Sequence, residues 1–168
     1  MTTISQLQKA AYNYVLGMRD TGVVIDAIDG KTISFIRLSA EEFAWGKKSK
    51  DLLKDSPEIF AQKMRLIPSI QDLAKNANIN WHSSDFKDHK LFKEKGFENF
   101  RGRVGIENVI FNFIIRAGKT KFGDVFYDIN LEVDQILPRA KNASGIKGST
   151  SSKTVYSNLK KMSTKNYQ

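Results

Sequence analysis

The chain of 168 residues contains no cysteine, only two histidines and only three prolines. Without cysteine there is no disulfide, no thiolate zinc site and no cysteine nucleophile, and the absence is silent on compartment. With His82 and His89 alone, a protein-built zinc or iron site would rest on carboxylates, and no His-Glu-x-x-His spacing occurs. No metal and no cofactor is therefore expected. Long apolar runs are missing too: none approaches the ~20 residues that span a bilayer. The first residues lack a charged start followed by an apolar core, so neither a membrane partner nor a signal peptide is expected. The expected chain is soluble, in the cytoplasm or delivered into the cytoplasm of a target cell.

What is present in excess is positive charge. Lys and Arg number 27 against 18 Asp and Glu, a net charge of +9. A surplus of this size favours polyanions, because each phosphate neutralised by Lys or Arg releases a condensed counterion. The plainer reading is a charge that keeps the protein soluble or meets an acidic protein. The surplus is unevenly placed. Residues 139–168 hold seven basic residues and no acid, in a setting of Ser, Thr, Asn and Gly. Such a stretch buries little apolar surface and is expected to stay flexible until it meets a partner. The division read from this is a domain over 1–138 and a basic tail over 139–168 that helps complete a binding site.

Apolar periodicity sets the elements. Ile4, Leu7, Ala11, Tyr14, Val15 and Met18 fall at helical spacing behind Thr3, a capping residue. Residues 23–28 and 32–37 flank Asp29-Gly30, the dipeptide of a tight hairpin turn. Residues 39–54 read as one helix, with Ser39 and Glu42 at capping-box spacing. Another helix begins after Ser56-Pro57 along Ile59, Phe60, Met64, Ile67 and Ile70, and Pro68 is expected to kink or divide it. Two β-branched and aromatic segments, 104–116 and 124–133, read as strands paired through a basic, glycine-bearing loop over 117–123. Alternation puts Val109, Phe111, Phe113 and Ile115, with Val125, Tyr127, Ile129, Leu131 and Val133, towards the core. It puts Asn108, Asn112, Arg116, Asp128, Asn130 and Glu132, mixed with Ile110, Ile114 and Phe126, on the other side. The fold expected is α+β, with N-terminal helices packed on one face of an antiparallel sheet and a half-polar outer face as a binding floor.

Several side chains could carry chemistry on that floor. Metal-free RNA cleavage needs a base for the 2′-hydroxyl, an acid for the departing 5′-oxygen and cations for the charge on phosphorus. His82, Glu132 or Asp128, and Arg116 could fill these roles. The plainer readings are a solvated histidine in a polar loop over 81–90 and carboxylates that merely face solvent or pair with cations. Lys119 and Lys121 in the hairpin loop, and Arg101 and Arg103 interleaved with Phe97 and Phe100, have the composition of a nucleic-acid surface. Trp45, Trp81, Phe97 and Phe100 could stack on bases, although core packing is the commoner fate of any single aromatic. Lys147, Ser149, Thr150 and Lys153 could wrap a phosphate through ammonium, hydroxyl and backbone N–H groups, without the spacing of a Walker loop.

The stretch from Leu66 to Val133 also resembles a known group. A helix ending in an Asn-Ala step (IPSIQDLAKNANI), a hydrophobic strand, a glycine-bearing turn and Phe126-Tyr127-Asp128-Ile129 are similar to nuclease-like domains. Those domains belong to phage-associated and large polyvalent mobile-element proteins, and are grouped with barnase, EndoU, colicin and RelE-like ribonucleases. The resemblance implies helices packed on an antiparallel sheet with nucleic acid on its outer face, and only Tyr127 and Asp128 carry over by motif. It makes an endoribonuclease the leading expectation: a toxin domain that cleaves RNA by 2′-hydroxyl attack, with a cognate inhibitor protein as a further partner. The alternatives are a nucleic-acid-binding module without catalysis and an adaptor whose tail reaches an acidic protein.

Overall fold

The computed structural model describes residues 2–84 and 96–138. Helix α1 (Ile4–Asp20) starts at Thr3, whose hydroxyl accepts from the Gln6 N–H while the Gln6 side chain accepts from the Thr3 N–H. This reciprocal cap satisfies two of the donors every helix start leaves open. Ala11, Val15 and Met18 are buried along it, but Tyr14 of the expected face is exposed. Strands β1 (Ile25–Asp26) and β2 (Thr32–Ile33) form the expected hairpin in short form. Its turn is left-handed at Asp29 and Gly30.

The segment 39–54 is two helices, α2 (Arg37–Trp45) and α3 (Lys47–Asp55), broken at extended Gly46. Ser39 does not open a helix there. It lies inside the first turn, and its hydroxyl accepts from the Ile36 N–H at 3.0 Å. Helix α4 (Pro57–Leu66) begins at Pro57 as expected, and a 3-10 turn over Ile67–Ser69 divides it from α5 (Ile70–Asn76) at Pro68.

Four antiparallel strands follow in spatial order β3 (Ile79–Ser83), β4 (Phe97–Ile106), β5 (Val109–Thr120) and β6 (Gly123–Ile136). The pairing of the last two confirms the expected hairpin. The segment 104–116 is not one strand, however. It contains a turn at Glu107-Asn108, with Glu107 at φ 55°, between paired Ile106 and Val109. Ser34 adds a parallel bridge to Val125, which ties the small hairpin to β6.

The helices cover one face of the sheet, so the expected α+β architecture holds. Phe43, Phe60, Leu73, Phe100, Phe113, Ile115 and Ile129 lie in one core cluster between the two layers. Gly102 leaves room for its cross-strand neighbour: a Cβ there would sit 2.5 Å from the Phe113 ring. Two register shifts on the β5–β6 pair re-aim side chains. Near Arg116 and Ala117 an extra residue, Tyr127, enters β6, so the simple alternation fails on both sides of it. Phe126, expected on the outer side, is buried against Phe35 and Phe43. Val133, expected in the core, pairs with buried Phe111 just before the second shift and is exposed.

Candidate nucleic-acid interface

Strand register assigns the two faces, because directly paired residues share one side of a sheet. The rows Phe100–Ile115–Ile129 and Gly102–Phe113–Leu131 run under the helices. The alternate rows, Asn99–Arg116, Arg101–Ile114–Asn130 and Arg103–Asn112–Glu132, form the open face. Arg101 and Glu132 are exposed there, Arg103, Asn112, Ile114, Arg116 and Asn130 are half-buried, and Asn99 beside Arg116 is buried.

Two guanidiniums of the open face differ in how they are matched. Arg103 is engaged: it donates to Asp134, which also accepts from Asn112. Arg116 is different. Its guanidinium carbon lies 5.4 Å from the Phe97 ring centre, its Nε is buried, and among the described residues no hydrogen-bond or ion-pair partner meets it. Phe97 in turn packs at 4.8 Å on the Tyr127 ring. Stacking on an aromatic face supports a guanidinium electrostatically but does not satisfy its N–H donors. A half-buried cation without acceptors is costly to maintain, and an incoming phosphate would supply them.

Asp128 does not share this face in practice. Although it pairs in register with Arg116, its carboxylate meets Lys63 of α4 at 2.8 Å, with side chains 5% and 2% exposed. Lys63 also donates to Ser49, whose hydroxyl donates to the Phe43 carbonyl. Burial pushes the Asp128 carboxyl up, and the Lys63 ammonium and the Ile129 N–H oppose that without cancelling it. A group so enclosed binds helix to sheet and cannot reach a substrate. Tyr127, expected in the core, is half-buried and donates to Glu42 of α2 at 2.7 Å; burial and that carboxylate raise its phenol.

His82 is on strand β3, not in a loop. It pairs with Glu98, whose row continues to buried Ala117 on the helix-covered side. Its Nδ1 lies 3.1 Å from Glu98 Oε2, with the side chain 45% exposed. Glu98 Oε1 accepts from Asn80 at 3.1 Å and from Lys31 at 3.2 Å. Burial alone would raise the Glu98 carboxyl, but bonds from Asn80, His82 and Lys31, with the charge of Lys31, hold it below the ordinary range. Glu98, Asn80 and Lys31 had no signal in the sequence, since only strand pairing brings them to the histidine.

The expected catalytic set is therefore dispersed. His82 and Glu132 lie on opposite edge strands and on rows of opposite face, with β4 and β5 between them. Arg116 and Glu132 share the open face but stand four residues apart in register, roughly 13 Å at ~3.3 Å per residue. Of the remaining candidates, Phe100 and Phe97 are buried and unavailable for stacking on bases. Lys119 and Lys121 are exposed at the β5–β6 turn. His89, Lys147, Ser149, Thr150 and Lys153 lie outside the described residues. Among the described residues no group of three or more His, Asp or Glu could hold a metal ion. No helix there is long and apolar enough to cross a membrane.

A family model, large polyvalent protein-associated domain 3, matches residues 2–127. The chain belongs to that family. The match takes in every helix, β3 to β5 and the start of β6. It supports the polyvalent mobile-element association that the sequence resemblance implied, and it carries no ribonuclease identity. No curated protein and no solved structure matches this polyvalent protein-associated domain.

Proposed function

We propose that this polyvalent protein-associated domain is an RNA-binding module that lays the RNA backbone across the open face of its sheet. The observation that carries the reading is Arg116, a half-buried guanidinium over Phe97 with no acceptor among the described residues. Exposed Arg101 lies on the same face. Residues 139–168 add seven of the 27 basic residues and no acid, which leaves 20 against 18 acids in residues 1–138. Shape and position then come from the sheet, and most long-range attraction from the tail. Titrating a labelled RNA at several salt concentrations tests this. Deleting 139–168 reduces the slope of log affinity against log salt, while Arg116→Ala weakens binding at every salt concentration. An unchanged slope after the deletion, together with full affinity in Arg116→Ala, overturns the reading.

A metal-independent endoribonuclease is the second reading, and the geometry at His82 favours it. An imidazole held through Nδ1 by Glu98, beside the Lys31 ammonium, has the parts of an oriented base with a nearby cation. In this reading His82 takes the 2′-hydroxyl proton, the 2′-oxygen attacks phosphorus, and the 5′-oxygen leaves with a proton from water. Incubation with total RNA in EDTA decides between the readings. Fragments ending in 2′,3′-cyclic phosphate, lost in His82→Ala, establish the enzyme; intact RNA that remains bound establishes the module.

A further inference from the structure

The most exposed large apolar side chain among the described residues is Phe122, 77% accessible at the tip of the β5–β6 hairpin. Nothing in its surroundings resembles fraying. Thr120 is buried at the base of the tip, its hydroxyl accepts from the Phe122 N–H at 3.0 Å and donates to the Gly123 carbonyl at 2.9 Å. Gly123 holds φ 108°, a backbone region that other residues rarely enter. The chain thus spends a buried hydroxyl and a glycine on a turn that presents a phenyl ring to solvent.

Charge gives the partner. Lys121 places its Nζ 5.1 Å from the Phe122 ring centre, and among the described residues no carboxylate meets it. Lys119, two residues earlier at the end of β5, is exposed, with its Nζ 4.0 Å from an Asp124 carboxylate oxygen. An exposed aromatic face with two lysines within three residues of it matches a nucleobase with its neighbouring phosphates. A protein core or lipid interior would have to desolvate both lysines.

We infer that the 120–123 tip is a base-stacking subsite for single-stranded RNA, with Phe122 under a base and Lys119 and Lys121 on the flanking phosphates. The inference rests on the RNA-binding reading and adds the class of RNA. Arg116 lies four residues before Thr120 on the same strand, roughly 13 Å away at ~3.3 Å per residue. One short strand can therefore reach both, since single-strand platforms cover about 4–16 nucleotides. A duplex has no free base to offer, so the tip should not matter to it.

The experiment measures affinity of the full chain for a labelled 12-nucleotide uridine oligomer and for a 12-base-pair RNA duplex. Phe122→Ala is expected to weaken the single strand about tenfold, within the usual worth of one stacked base, and to leave the duplex unchanged. Phe122→Trp is expected to retain single-strand affinity. Equal weakening for both RNAs, or full single-strand affinity in Phe122→Ala while Arg116→Ala remains defective, overturns the tip subsite and leaves the RNA-binding reading standing. No binding of either RNA by the unaltered chain overturns both. Binding to vesicles of mixed neutral and anionic lipid that Phe122→Ala abolishes, with RNA affinity intact, assigns the tip to a membrane surface and also overturns the inference.

Discussion

The two faces of the four-stranded sheet have the same secondary structure and nearly the same chain, yet they solve opposite problems. The covered face also meets a cation, Lys63 of α4, but here the ammonium is enclosed: Asp128, Ser49 and the Phe43 ring surround it. The open face holds Arg116 half-buried over a ring, with no acceptor among the described residues. A buried charge with every contact filled contributes to one packed arrangement. A half-buried charge with contacts unfilled is one whose donors an incoming anion would satisfy. The difference between the faces is thus a difference in satisfied hydrogen bonds rather than in charge.

The largest effect that would sharpen this contrast is on the covered side. Lys63→Met leaves Asp128 buried without its cation and is expected to cost about 3–5 kcal/mol, the usual range for breaking a buried pair. Urea denaturation reads it as a lower midpoint. The double change Lys63→Met with Asp128→Asn should recover much of the loss; no recovery would mean the pair is not a unit.

A smaller effect lies in the turn that sets the register of both faces. Glu107 sits at φ 55° between β4 and β5, where a Cβ is strained, so Glu107→Gly is expected to stabilise by about 0.5–1 kcal/mol. A fall in the melting midpoint would show that the glutamate side chain holds the turn in some other way. The smallest effect belongs to the end of the covered face, where Glu98 meets His82, Asn80 and Lys31. Its carboxyl is held below its ordinary value of 4.5. Its contribution is then fully present above the unfolded value and is lost as pH falls through the lower folded one. The stability difference between the unaltered chain and Glu98→Gln should therefore shrink below about pH 4.5. A difference constant down to pH 3 would contradict the assignment.

How much of this was legible beforehand depended on range. Local signals were clear: the Thr3 cap, the Asp29-Gly30 turn, Pro57 opening a helix and Pro68 dividing one all act within a few residues. The turn at Glu107-Asn108 was hidden because a glutamate, not glycine, takes its left-handed position, and the run from Val104 to Arg116 read as unbroken. The extra residue at Tyr127 was hidden for a related reason. Alternation presumes a regular ladder, and one unpaired residue re-sorts Phe126 and Asp128 relative to their neighbours. At the candidate site Arg116 and Glu132 fell on the face that alternation assigned them, whereas Arg101 lies on the part of β4 before the 104–116 segment that was read as a strand. Glu98 reaches His82 only across paired strands, and Lys31 comes from 67 residues earlier in the chain, which no spacing rule could show.

The most direct test of the central claim compares Arg116→Ala with the unaltered chain in two measurements on the same samples: RNA affinity at fixed salt and urea unfolding. Because the guanidinium has no acceptor to lose among the described residues, the account predicts affinity lowered about tenfold or more, the size of one charge-assisted contact, with the unfolding midpoint unchanged or slightly raised. Full RNA affinity, or a loss of affinity that follows a loss of stability, would contradict it.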